Sequence, residues 1–124
     1  RRSSDLKLIS PGTSLPVSTA QSELLGTPEY RAPELWISAK DADASSDVYS
    51  LGVMLYELMA KTLPFVAERE SRLMDLHLFE PPPMLRSTPP VLTTLLGRML
   101  AKKRSLRPSM AEVAETLRAI AVVR

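Results

Sequence analysis

The stretch Asp47–Ala60 constrains the fold most. Val48, Leu51, Gly52, Leu55 and Met59 recur along one helical stripe, and Val53, Met54 and Leu58 fill the other side. A helix that is apolar nearly all round belongs inside a molecule, not on its surface. Pro64 ends it, because proline has no amide hydrogen to give the helix. The rest of the chain must supply covering layers, and 124 residues allow one domain to do so.

The flanking segments read as those layers. Pro33 suits the first turn of a short helix reaching Trp36 or Ile37. Residues 38–46 are small and polar and read as a linker. Glu68–His77 predicts an amphipathic helix with Leu73 and Leu76 inward and His77 facing solvent. Residues 79–90 carry five prolines and must run extended. Pro89 or Pro90 opens a further helix, with Val91, Leu92, Leu95, Leu96, Met99 and Leu100 on its stripe. Ser109-Met110-Ala111-Glu112 is a capping box for the last helix, whose inner face is Met110, Val113, Ala114, Leu117 and Ala121. Leu6–Ile9 predicts a short strand, ended by Ser10-Pro11-Gly12, before a loop that runs to about Ala32. The expected fold is mainly α, about five helices around Val48–Met59 with at most this one strand.

Composition narrows the chemistry. With no Cys and one His, disulfide frameworks, Cys-ligated zinc, iron–sulfur clusters, thiol catalysis and most His-rich metal sites are excluded. No apolar run reaches the ~18 residues of a membrane span, so the default compartment is the cytoplasm. A net charge of +2 gives no case for nucleic acid. Arg98, Lys102, Lys103, Arg104 and Arg107 form a basic cluster that reads mostly as a solvated helix end and loop. The chain opens on Arg1 rather than Met, which predicts a processed chain or a piece of a longer one.

Three motifs then carry a resemblance. GTPEYRAPE (Gly26–Glu34), SDVYSLGVMLYELMAKTLPF (Ser46–Phe65) and RMLAKKRSLRPSM (Arg98–Met110) together resemble the C-terminal lobe of a bacterial-type serine/threonine protein kinase, in the family's order. The resemblance implies a partial kinase domain over 1–124: a strand remnant and activation segment over 1–32 and a helical lobe over 33–124. It implies that Gly26, Thr27 and Tyr30 belong to the shelf that holds a substrate peptide. It pairs Glu34 with Arg107, more than seventy residues further along, as a buried ion pair. It makes Asp47 the carboxylate that opens the central helix and, in the family, accepts amides of the catalytic loop. An acid there also favours the helix dipole without any kinase. Ser14, Ser18, Thr19 and Ser22 fall in the activation segment as possible phosphosites.

The departures bear on mechanism. Kinases need a Gly-rich phosphate loop, a strand Lys with its Glu, a catalytic-loop Asp and Asn, and a metal-binding Asp. Glycines at 12, 26, 52 and 97 only cannot form that loop. With Leu6–Ile9 as the strand, Ser10 stands where the family carries the magnesium carboxylate, and a neutral hydroxyl is a poor anchor for Mg²⁺. A second register sets Asp5-Leu6-Lys7 on the catalytic loop, but Ser10 then replaces its Asn. Both registers leave the metal site incomplete. The expectation is no catalytic residue and no metal or cofactor for this chain, ATP and Mg²⁺ for an intact parent. The expected partners are a peptide substrate or the missing N-terminal lobe, with no nucleic acid and no membrane. A pseudokinase-like binding or scaffold module is the alternative. In the family another long helix covers one flank of the central helix. Its absence predicts open apolar surface of roughly 300–600 Å², and with it a chain that is marginally stable, self-associating or dependent on a partner.

Overall fold

The computed structural model describes residues 27–123. The strand expected at Leu6–Ile9, together with Ser10, Ser14, Ser18, Thr19, Ser22 and Gly26, lies outside the described residues. Within them run five helices: α1 Pro33–Ile37, α2 Ala44–Ala60, α3 Glu70–Phe79, α4 Pro90–Met99 and α5 Met110–Val123. Short 3-10 turns lie at Pro28–Tyr30, Ala39–Asp41 and Arg104–Leu106, and no strand occurs among the described residues. The architecture is mainly α, as expected.

The central helix α2 begins earlier than the sequence predicted. Asp43, read as linker, is its N-cap: the Asp43 carboxylate accepts the Ser45 and Ser46 amides at 3.0 and 3.1 Å. Ser46 Oγ closes the box by accepting the Asp43 amide at 3.4 Å. Asp47 therefore stands in the first turn and is not the cap. At the other end Lys61 takes a left-handed conformation (φ 64°) and donates its amide to the Glu57 carbonyl at 2.9 Å. A non-glycine residue in that region carries a steric cost, tolerated here because the bond closes the last turn.

Two apolar clusters lie against α2. Ala32, Leu35 and Leu100 pack with Tyr49, Val53 and Tyr56. Leu92, Leu95, Leu96, Met99 and Val113 pack with Val48. Gly52 lets α2 and the end of α4 approach: a Cβ there would lie 2.9 Å from Met99 Cβ. Full burial of α2 is not what the structure has. Met54, Leu58 and Met59 are 37%, 68% and 40% exposed, because the Pro28–Tyr30 turn covers one side and α4 and α5 another.

Two more expectations change. The helix expected at Glu68–His77 is Glu70–Phe79, and His77 is fully buried instead of facing solvent. One helical turn separates it from Leu73, so the two share the inward face. In α5 the inward residues are Val113, Leu117 and Ile120, while Ala114 and Ala121 are exposed. Only half of the Ser109 box forms as predicted. The Glu112 amide donates to Ser109 Oγ at 3.1 Å, but the Glu112 carboxylate turns to Arg98 at 2.7 Å.

Candidate peptide-docking ledge

Residues 27–37 form a ledge along α2 and against α3. Prolines shape it: Pro28 opens the turn and Pro33 opens α1, each where no amide donor is required. The Tyr30 amide donates to the Thr27 carbonyl at 3.0 Å, so Thr27 stands at the head of the turn. α2 grips Tyr30 twice. Tyr30 Oη donates to Glu57 Oε1 at 2.6 Å, and Ser50 Oγ donates to the Tyr30 carbonyl at 2.6 Å.

The structure brings Glu34 and Arg107 together. Arg107 Nη1 and Nη2 donate to Glu34 Oε2 and Oε1, both at 2.9 Å, in a two-point fork. The remaining donors go to the carbonyls of Ala101 (2.8 Å), Ser45 (3.0 Å) and Lys102 (3.2 Å). Every guanidinium N–H thus has an acceptor. The Arg107 side chain is 0% exposed and that of Glu34 11%. Ser46 Oγ adds a bond to Glu34 Oε2 at 2.6 Å. Burial pushes the Glu34 carboxyl up, but hydrogen bonds from Arg107 and Ser46 outweigh it and hold the group below its ordinary range.

Beside this clasp lies a second one. Arg104 Nη1 donates to the Asp41 carbonyl at 2.9 Å and to Asp43 Oδ2 at 3.2 Å, bracing the cap of α2. Asp47 is different. Its carboxylate accepts no hydrogen bond among the described residues, and burial, helped by the charge of Asp43, raises its pKa. The basic cluster is not an open patch. Arg98 pairs with Glu112, and Lys102 Nζ donates to the Leu76 carbonyl at 3.1 Å while lying 4.5 Å over the Phe65 ring.

Behind the ledge sits a knot of rings that sequence reasoning missed. His77 packs against Trp36, Tyr49 and Phe65 with centroids 6.0, 5.7 and 5.0 Å away. Its only sequence signal was the one-turn spacing from Leu73. The Asp43-x-x-Ser46 spacing was the missed signal for the cap.

Arranged this way, the described residues offer little to a nucleotide. No group of three acidic, His or Cys side chains that could hold a metal occurs among them. Two cavities, of about 320 and 180 Å³, lie between α4 and α5 and under the proline-rich segment 80–89, with linings mostly apolar and free of carboxylates. ATP and Mg²⁺, which kinases use, do not fit these residues, and no chemical step is derived through them. No helix among the described residues is long and apolar enough to cross a membrane.

A helical base carrying a proline-stiffened ledge, stapled to a distant loop by one buried Arg–Glu fork, defines a kinase-type lobe. Comparison with known proteins places the chain accordingly: the protein kinase domain profile matches residues 2–117, and the chain belongs to the protein kinase family. Its relatives include serine/threonine-protein kinase pkn3 of Myxococcus xanthus, 38% identical over 103 residues, which are 78% of this chain and 19% of that protein. Serine/threonine-protein kinase pkn2 of the same organism is 36% identical over 120 residues, 91% of this chain and 14% of that protein. Serine/threonine-protein kinase PksC of Streptomyces coelicolor is 36% identical over 93 residues, 72% and 16% respectively. The chain spans less than a fifth of the length of each of these three relatives.

Proposed function

We propose that this chain is the peptide-docking, helical part of a serine/threonine protein kinase domain. The parent reaction moves the γ-phosphoryl of ATP to a protein Ser or Thr hydroxyl. Residues 33–124 supply the base, and residues 1–32 supply a strand remnant and the activation segment. The resemblance assigns Gly26, Thr27 and Tyr30 to the shelf that meets the peptide. The nucleotide-gripping residues come from elsewhere, so the chain alone transfers no phosphate. The observation that carries this is the ledge itself, gripped by α2 at Tyr30 and forked to Arg107 at Glu34. The unbonded Asp47 carboxylate is consistent with a socket for a catalytic loop. The open residues Met54, Leu58 and Met59 fit cover by another kinase segment or by a second copy.

Ser10 favours a second reading, a pseudokinase-like binding or scaffold module, because in the register that makes Leu6–Ile9 the strand it stands where the family carries the metal-binding carboxylate. One experiment separates the two. The N-terminal kinase-domain segment of the Myxococcus pkn3 relative is fused ahead of this chain, and phosphate transfer to a Ser/Thr peptide is measured. Activity with Ser10 in place, and none in the chain alone, supports the enzyme reading. Activity only after Ser10→Asp supports the scaffold reading. A chain that transfers phosphate by itself, or a folded fusion inactive in both forms, overturns the docking role.

A further inference from the structure

The ledge is supported from behind by one residue with two different nitrogens. His77 is fully buried, and its Nδ1 lies 2.7 Å from Tyr49 Oη. Tyr49 is itself fully buried, and burial raises its pKa, so its hydroxyl keeps its proton. No other acceptor for that hydroxyl occurs among the described residues, so the proton points at Nδ1. The neutral ring must then carry its own hydrogen on Nε2. His77 Nε2 and Trp36 Nε1 are buried and have no hydrogen-bond partner among the described residues. They belong to stacked rings, one in α3 and one in the ledge helix α1.

Charges round the knot keep the ring neutral. Arg31 lies 4.3 Å over Trp36, Lys102 lies 4.5 Å over Phe65, and Arg107 lies 5.0 Å over Tyr49. Burial first, then Lys102 and Arg31, lower the pKa of His77 to about 4, while the backbone of Glu29 works the other way. Glu29 is a ledge residue, in the turn that Pro28 opens. The Glu29 backbone bond comes from the ledge, so the ledge already offers the ring an acceptor, though not at full hydrogen-bond geometry to Nε2.

We propose that His77 is a positioning residue for the ledge: held by Tyr49 through Nδ1, it presents a buried Nε2–H from behind and sets the height at which residues 28–36 meet a peptide. The inference rests on the peptide-docking role of the ledge, and its test does not need phosphate transfer. Nitrogen NMR on the 124-residue chain reads the tautomer, with hydrogen on Nε2 as the expected result and hydrogen on Nδ1 overturning the inference. Amide exchange then compares the chain with Tyr49→Phe, which keeps the ring and loses the hydroxyl, and with His77→Phe. The amides of Leu35 and Ser38, bonded to Ala32 and Glu34, should exchange about tenfold faster while those of α4 stay within about twofold. Uniform acceleration in ledge and α4, or none, leaves His77 a plain core residue and overturns the inference. In an active fusion with the relative's N-terminal segment, Tyr49→Phe should raise the peptide KM about fivefold and leave the ATP KM unchanged. A fall in kcat alone would contradict it.

Discussion

The ledge is fixed in two ways that differ in kind. At Glu34 it is held by charge: one buried guanidinium has an acceptor for each N–H and ties residues far apart in the chain. Along its back it is held by rings, with one hydrogen bond between Tyr49 Oη and His77 Nδ1 and two buried nitrogens without a partner at full hydrogen-bond geometry among the described residues. The fork is fully satisfied and has no alternative partner to move to. The knot is packed but not satisfied. Charge therefore anchors the ledge at one point, and packed rings back it from behind.

Breaking the fork should give the largest effect. Arg107→Ala strands a buried carboxylate and should cost about 3–5 kcal/mol. Arg118→Ala, at an exposed position, should stay within about 0.5 kcal/mol. Arg107→Lys should not rescue, since an ammonium has three donors and no fork. Equal melting temperatures for Arg107→Ala and Arg118→Ala would remove the claim that charge anchors the ledge.

Acid should weaken the knot next. The folded pKa of His77 lies near 4, below its ordinary value of 6.5, so the unfolded chain binds the proton first as pH falls. The contribution is complete above pH 6.5 and is lost progressively down to pH 4, in all roughly 3 kcal/mol. Denaturant melts at pH 7 and pH 5 should show it, and His77→Phe should flatten the difference. An unchanged slope in that variant would show that another group carries the pH dependence.

The smallest effect belongs to the outer clasp. Arg104 and Asp43 are 41% and 52% exposed, so Arg104→Ala should cost about 0.2–1 kcal/mol, and less at high salt. A loss as large as that of Arg107→Ala would mean that burial does not separate the two clasps.

What was legible in the sequence follows the same division. The helical order, the prolines and the rod at Val48–Met59 could be read from period and turn chemistry, which are local. Glu34 and Arg107 could be paired only through the motifs that contain them. His77 could not be placed, because its neighbours Trp36, Tyr49 and Phe65 come from three separate segments and no local pattern joins them. The cap at Asp43 hid in a polar run, since its box closes with Ser46 where Glu or Gln is usual. The open flank at Met54 and Leu58 was expected from the resemblance, through the missing helix, and not from periodicity, which reports that a face is apolar but not whether anything covers it.

The central proposal is that this chain carries the surface for a peptide and that its described residues lack the grip for a nucleotide. Calorimetric titration of ATP into the 124-residue chain, with and without Mg²⁺, tests it most directly. The expected trace shows no saturable heat in either condition. Saturable, Mg²⁺-dependent binding would contradict it and would mean that a phosphate site exists outside the ledge and base described above.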